Sequence, residues 1–244
     1  MSLLFCIAAV TAFLLTGNLR AEDFPIKTDT RLHGGMSLTD GNSETIRLNF
    51  GFLAEGEKNT FGSYRSGAAV NYGKSVVDGH SETDVENSTV FAIARRMIDS
   101  SLFGYVDTKL ERDIIAKLSY RISAGPGLGS YLWKNKQSIF SVELGPSYIW
   151  EKTEGERGEY FSLHTAQRLD IHLSDIAKLW ESMEYLPDIS EFSNYRFNSE
   201  IGLETLISSR ISLRLSVENK YTSQPGLEVD PDDLSVTCGF SIQL

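Results

Sequence analysis

The final stretch, Leu234 to Leu244, alternates without a break. Leu234, Val236, Cys238, Phe240, Ile242 and Leu244 fall on one face, and Ser235, Thr237, Gly239, Ser241 and Gln243 on the other. A period of two is the side-chain repeat of a β-strand, so this stretch carries one apolar and one polar face. A soluble sheet would show the same alternation. Here it runs to the last residue of a chain that opens on an export signal, and the combination points to a transmembrane β-barrel closed by its C-terminal strand.

The signal covers 1–21: an apolar run from Leu3 to Leu15, then Gly17, Asn18 and Ala21 ahead of Glu22. It is too short and too rich in small residues for a membrane helix, and its removal leaves 22–244 as one barrel domain. No later segment has the apolar length of a membrane helix, so a membrane location leaves only a closed barrel. Cys6 departs with the signal, and Cys238 then has no partner for an intramolecular disulfide. Arg20 is the only charged side chain of the signal, so the formal charge of −10 becomes −11 in the mature chain. Such an acidic chain is a poor nucleic-acid binder.

Twelve alternating segments can be drawn, which makes the expected fold an all-β, antiparallel, up-and-down barrel with both termini periplasmic. The clearest is Arg210 to Tyr221, where Ile211, Leu213, Leu215, Val217 and Tyr221 alternate with Arg210, Ser212, Arg214, Ser216, Glu218 and Lys220. In the fourth segment Val85, Phe91 and Ile93 are expected on the lipid side, opposite Asp84 and Glu86. The fifth leaves its facing open, because Phe103 and Tyr105 share a side with Asp107, Lys109 and Glu111. In the sixth, Gly125, Gly127 and Gly129 leave room in the interior or relieve strain where the wall curves. Connections after even-numbered strands read as short, whereas Lys74 to Glu82, Glu151 to Gly158 and Thr222 to Asp232 read as long polar loops. Tyr148, Trp150, Tyr160, Tyr185, Tyr195 and Tyr221 lie near the loop-side ends, as an aromatic girdle would.

The inward rows carry the candidate functional residues: Arg31, Arg47, Arg65, Arg121, Arg168, Arg196, Arg210 and Arg214 with Asp84, Glu86, Glu143, Asp170, Glu200, Glu204 and Glu218. They read either as a charged eyelet that selects ions or small polar solutes, or as a salt-bridge network that stiffens and plugs the barrel. About a dozen strands enclose a lumen that long side chains nearly fill, which favours the network. His164, Arg168, Asp170 and His172 share one face, but residues two apart on a strand are spaced by about 7 Å and rarely meet on one ion, so no metal is expected. Ser162, His164 and Asp170 lie along one strand face with no glycine-rich elbow, a weak basis for an outer-membrane hydrolase. Glu228, Asp230, Asp232 and Asp233 read as a solvated acidic loop rather than a site for divalent cations bridging lipopolysaccharide. No cofactor is implied.

Several stretches resemble the family of YdiY-like, salt-stress-induced outer-membrane proteins. They are Gly41-Asn42-Ser43-Glu44-Thr45, Arg121 with Gly125-Pro126-Gly127-Leu128-Gly129, Asn194-Tyr195-Arg196 with Gly202-Leu203-Glu204, and Asp232-Asp233 with Gly239-Phe240. The resemblance spans nearly the whole mature chain and implies an outer-membrane barrel without supplying catalytic residues. Its implied partners are outer-membrane lipid, lipopolysaccharide and the barrel-assembly machinery. Outer-membrane barrels usually end on an aromatic residue; this chain ends on Leu244, with Phe240 the nearest aromatic on that face.

Overall fold

The computed structural model describes residues 27–39, 44–58, 62–77, 80–226 and 229–244. The expected signal, 1–21, lies outside them. All regular elements among the described residues are strands: β1 (Lys27–Thr39), β2 (Glu44–Lys58), β3 (Gly62–Val77), β4 (His80–Met97), β5 (Leu102–Asp113), β6 (Leu118–Lys134), β7 (Ser138–Thr153), β8 (Glu156–His172), β9 (Ala177–Pro187), β10 (Tyr195–Leu206), β11 (Ile211–Thr222) and β12 (Asp232–Gln243). Each pairs antiparallel with its sequence neighbours, and β12 pairs with β1 from Gly35↔Gly239 to Arg31↔Gln243, so the sheet closes into a barrel. Closure gives every strand a partner on both sides, so the sheet has no free edge strand.

The strands run from 11 residues in β9 to 18 in β4, long enough for a tilted strand to cross a hydrocarbon layer. Their outer faces are greasy and uncovered. Phe50, Val70, Val90, Leu128, Leu144, Phe161, Leu215 and Phe240 are all exposed, whereas Ser212 and Ser241, one step along β11 and β12, are buried inside. A closed barrel with apolar rows outside and charge inside inverts the usual globule, as contact with lipid requires.

Rings gather at both ends: Phe103 with Tyr131 and Trp133 with Phe140 near β1's start, and two clusters at the end away from it. Tyr148 lies 4.5 Å from Trp150 and 4.6 Å from Phe161, and Tyr195 lies between Tyr185 at 5.5 Å and Tyr221 at 5.7 Å. Tyr160 is a correction to the expected girdle. It alternates with the outward Phe161 and faces the lumen, where Arg196 Nη1 donates to its hydroxyl at 2.8 Å.

At the end where β1 starts, the connections 98–101, 135–137, 173–176 and 207–210 are short, and a side-chain oxygen closes each. Asp99 accepts the N–H groups of Ser101 and Leu102, and Asn135 those of Gln137 and Ser138. Ser174 accepts from Ile176, and Ser208 from Ile211. These are turns that Asp, Asn and Ser form locally. The N–H of Leu102, and then that of Ser101, hold the Asp99 carboxyl below its ordinary range.

The expected long loops after the third and seventh strands are corrected: only 78–79 and 154–155 separate those pairs. Glu154 and Gly155 take φ of 53° and 91°, the left-handed backbone of a two-residue hairpin turn, so β7 and β8 continue to the tip. Longer connections remain at 188–194 and 223–231.

Two strands depart from the expected facing. In β4 the phase is reversed: Asn71↔Asn87 face inward, Glu86 lies across from the outward Tyr72, and Phe91 lines the lumen. The cause is a bulge at Gly73/Lys74, where Val85 and Thr83 take successive partners and position 84 becomes the extra residue. Phe91 is held inside beneath the Arg65 guanidinium, 5.6 Å from the ring centre. In β5, Phe103 and Tyr105 point inward with the charges that follow them, and both are almost fully buried. Their cross-strand partners are Gly129 and Gly127, and a Cβ at Gly127 would sit 2.3 Å from the Tyr105 ring. The glycine run of β6 is the floor on which these rings lie. Gly127→Val is therefore expected to destabilise the barrel by about 2 kcal/mol through overpacking, read as a lower urea midpoint of the heat-modifiable folded band; an unchanged midpoint would contradict this packing.

Candidate functional site: a charged lumen

Every second residue of a strand faces the lumen, so twelve strands deliver stacked rows of side chains into one enclosed column. Many of the resulting pairs reach across the barrel. Lys109 of β5 lies 3.4 Å from Glu184 of β9 and 3.0 Å from Glu111. Glu184 also accepts from Asn198 Nδ2 at 2.8 Å, and its other oxygen lies 3.3 Å from His164 Nε2. The far side of the His164 ring meets the Tyr105 hydroxyl, 2.8 Å from Nδ1. Side chains of β5, β8, β9 and β10 thus tie into one bar across the middle of the lumen.

Further pairs brace the column on both sides of this bar. Arg95 of β4 donates from Nε and Nη2 to Glu143 of β7, at 2.9 and 2.6 Å. Arg31 meets Asp29 on its own strand and Glu204 of β10 at 3.4 Å. Asp170 is shared by Arg168 at 2.8 Å and Lys178 at 2.9 Å. Arg214 meets Glu200 at 3.0 Å with its guanidinium 4.2 Å above the Trp180 ring. Farther along, Glu151 holds both Arg121 at 2.6 Å and Arg196 at 3.4 Å. Arg65 lies 3.3 Å from Glu55, and Lys220 lies 3.5 Å from Glu218.

Space remains around the bar. A cavity of about 270 Å³ is lined by His33, Asn49, Asn71, Arg214 and Lys220, and another of about 290 Å³ by Arg95, Asp107, His164 and Arg168. Arg65, Phe91, Lys109, Glu200 and Glu218 line both. The lumen is thus a set of small polar chambers partitioned by ion-paired side chains, each chamber presenting both signs of charge.

Of the expected residues, Arg31, Arg65, Arg121, Arg168, Arg196 and Arg214 lie on inward rows, with Glu143, Asp170, Glu200, Glu204 and Glu218. Arg47 is on the inward row of β2, at a smaller cavity near the far mouth. Arg210 is corrected to the rim: it belongs to connection 207–210 and is exposed, because β10 ends at Leu206 and β11 begins only at Ile211. Glu86 is corrected to the outer face by the β4 bulge, and the side chain of Asp84 lies outside the described ones.

Lys109 and Glu184 of the central bar were missing from the candidate residues for a definite reason. Lys109, Glu111 and Asp107 share a face with two aromatics, and β9 carries glutamates on both faces, Glu181 and Glu184, with Trp180 inside. Neither strand has a clean alternation, and the one available signal was the glycine run opposite Phe103 and Tyr105.

No hydrolytic triad assembles. The Ser162 hydroxyl donates to the Pro187 carbonyl at 2.7 Å, while His164 is engaged by Tyr105 and Glu184. Among the described residues no three His, Cys, Asp or Glu side chains converge as metal ligands. Glu228 lies outside the described residues, and Asp232 and Asp233 belong to β12, where Asp233 sits across from Lys220.

Residues 33–243 match the family described as protein of unknown function, DUF481. The chain belongs to the DUF481 family. Comparison of this DUF481 chain with curated protein sequences finds no match. Among solved structures it is similar to the NanC porin, with a TM-score of 0.53 at 10% identity over 88% of this chain and 100% of that one. It is likewise similar to an outer-membrane channel from Pseudomonas putida, with a TM-score of 0.51 at 8% identity over 91% of this chain and 97% of that one. At such identities the likeness is one of fold: the DUF481 barrel shares its architecture with outer-membrane channels.

Glu143 is 7% exposed, so removing its partner strands a buried carboxylate. Arg95→Met is expected to cost about 3 kcal/mol, whereas adding Glu143→Met should restore most of that, as measured by urea unfolding in lipid vesicles.

Proposed function

We propose that this DUF481 protein is an outer-membrane barrel that passes ions and small polar solutes slowly through a narrow, charge-lined lumen. The observation that carries the reading is the Lys109–Glu184–His164–Tyr105 bar with two polar cavities beside it, both walled in part by Lys109. It leaves room for small hydrated species and obstructs large ones. Cations and anions interleave along the walls, so selectivity between ions of opposite sign is expected to be weak.

In this reading the termini are periplasmic, a placement the connections support. Connections at the end of β1's start are three or four residues long, and the two longest, 188–194 and 223–231, lie at the other end, which supports the asymmetry of a bacterial barrel with periplasmic termini. The Tyr148–Trp150–Phe161 and Tyr185–Tyr195–Tyr221 clusters would then sit at the outer leaflet, beside lipopolysaccharide. The apolar face of β12 would be the surface offered to the barrel-assembly machinery.

A second reading rests on the completeness of the pairing. Cross-lumen ion pairs also stiffen the wall, which suits a structural role in the envelope under osmotic stress, in line with the salt-stress resemblance. Planar-bilayer recording separates the two. The channel reading predicts small single-channel steps that grow when the bar is removed by Lys109→Ala with Glu184→Ala, by about twofold or more. Silence of both proteins at every voltage would leave the structural role.

A further inference from the structure

The outer wall is apolar over most of its area, and besides Glu86 of β4 one sector carries a group of polar side chains. Gln167 of β8, Met183 of β9, Ser199 of β10 and Asn219 of β11 are consecutive cross-strand partners on the outer face. Their sequence neighbours Arg168, Glu184, Glu200 and Glu218 join the ion pairs of the lumen, and strand alternation turns Gln167, Met183, Ser199 and Asn219 outward. Beside them, Glu181 also points outward. It lies across from Leu169 and Ile201, four residues from Tyr185 in the aromatic cluster and four from the start of β9 at Ala177. A carboxylate is thus set among greasy side chains at a level where the rest of the wall faces hydrocarbon, an arrangement lipid disfavours.

Gln167 Nε2 donates to Glu181 Oε1 at 3.2 Å and touches Met183 Sδ at 3.4 Å. The second Glu181 oxygen and the Gln167 carbonyl take no hydrogen bond from the described residues. Lipid tails have nothing to offer these groups. A second copy of the same wall does, because it brings amide donors to carboxylate and amide acceptors.

We infer that the β8–β11 wall is a homodimer interface within the membrane, with Gln167 of each copy meeting Glu181 of the other. Both copies insert in the same direction, so their two-fold axis runs along the membrane normal and residues at equal depth face each other. Gln167 and Glu181 are diagonal neighbours on adjacent strands, and strand tilt brings that diagonal close to the membrane plane. An axis between β8 and β9 then pairs donor with acceptor twice. The inference does not depend on whether the lumen conducts.

The test uses the full chain with Cys238→Ala, refolded into lipid vesicles. Barrels carrying Gln167→Cys mixed with barrels carrying Glu181→Cys should crosslink through a short bis-maleimide at least about tenfold faster than barrels carrying Phe50→Cys on the opposite wall. Native mass spectrometry from detergent should show a dimer. Gln167→Leu with Glu181→Leu should weaken dimerisation about tenfold, with the heat-modifiable folded band retained because the change only makes a lipid-facing wall more apolar. A monomer with no crosslinking above the Phe50→Cys control overturns the inference. So does a dimer indifferent to the double substitution, or capture of lipid or another protein at these positions in place of a second copy.

Discussion

The structure depends on closure of one hydrogen-bonded ring. Hydrocarbon offers no donor or acceptor to a peptide group, so a sheet can live there only if its first and last strands pair. In this barrel the closing pair is also the least extensive: β12 meets β1 only from Gly35↔Gly239 to Arg31↔Gln243, with one further bond from the Leu244 N–H to the Thr30 carbonyl. The backbones approach so closely there that a Cβ on Gly239 would lie 2.1 Å from the Gly34 carbonyl oxygen. Glycine at the seam is thus a requirement of closure, and closure is what permits the greasy outer rows to stay uncovered.

Closure also fixes what the interior must be. Charged side chains that alternate with lipid-facing ones have nowhere else to go, and about a dozen strands leave too little room for each to keep a full water shell. Pairing across the lumen is the result. A half-buried ion pair contributes modestly to stability, since desolvation offsets much of the attraction. Its larger effect is geometric, because Glu184 holds Lys109, His164 and Asn198 in one place and so determines where the remaining cavities lie. Transport and stiffness are two consequences of this arrangement, and how far the central bar yields decides between them.

Sequence alternation carried the fold a long way. In β11 and β12 every outward residue from Ile211 to Val217 and from Leu234 to Ile242 is apolar or a cysteine, and the inward positions are polar or glycine, so facing follows directly. The short connections after even-numbered strands were legible because Asp99, Asn135, Ser174 and Ser208 close their own turns, a local signal. The failures share one cause. A narrow lumen accepts large rings as readily as the lipid does, so Phe91, Phe103, Tyr105, Tyr160 and Trp180 give no facing signal by hydrophobicity alone. The single extra residue at position 84 reversed the phase of β4 for the same local reading, and took Glu86 to the outside. The partners of the central bar come from strands far apart in sequence, and nothing short-range announces that Lys109 will meet Glu184.

The central claim is that lipid touches one set of rows and the polar lumen the other. Nitroxide labels placed one at a time at Leu213, Arg214, Leu215 and Ser216 in vesicle-embedded protein test it most directly, through collision with oxygen, which favours the bilayer, and with a water-soluble nickel chelate. The account predicts a period of two, with oxygen reaching positions 213 and 215 far more readily than 214 and 216. Equal protection of all four from oxygen, as in the core of a compact soluble domain, would contradict it.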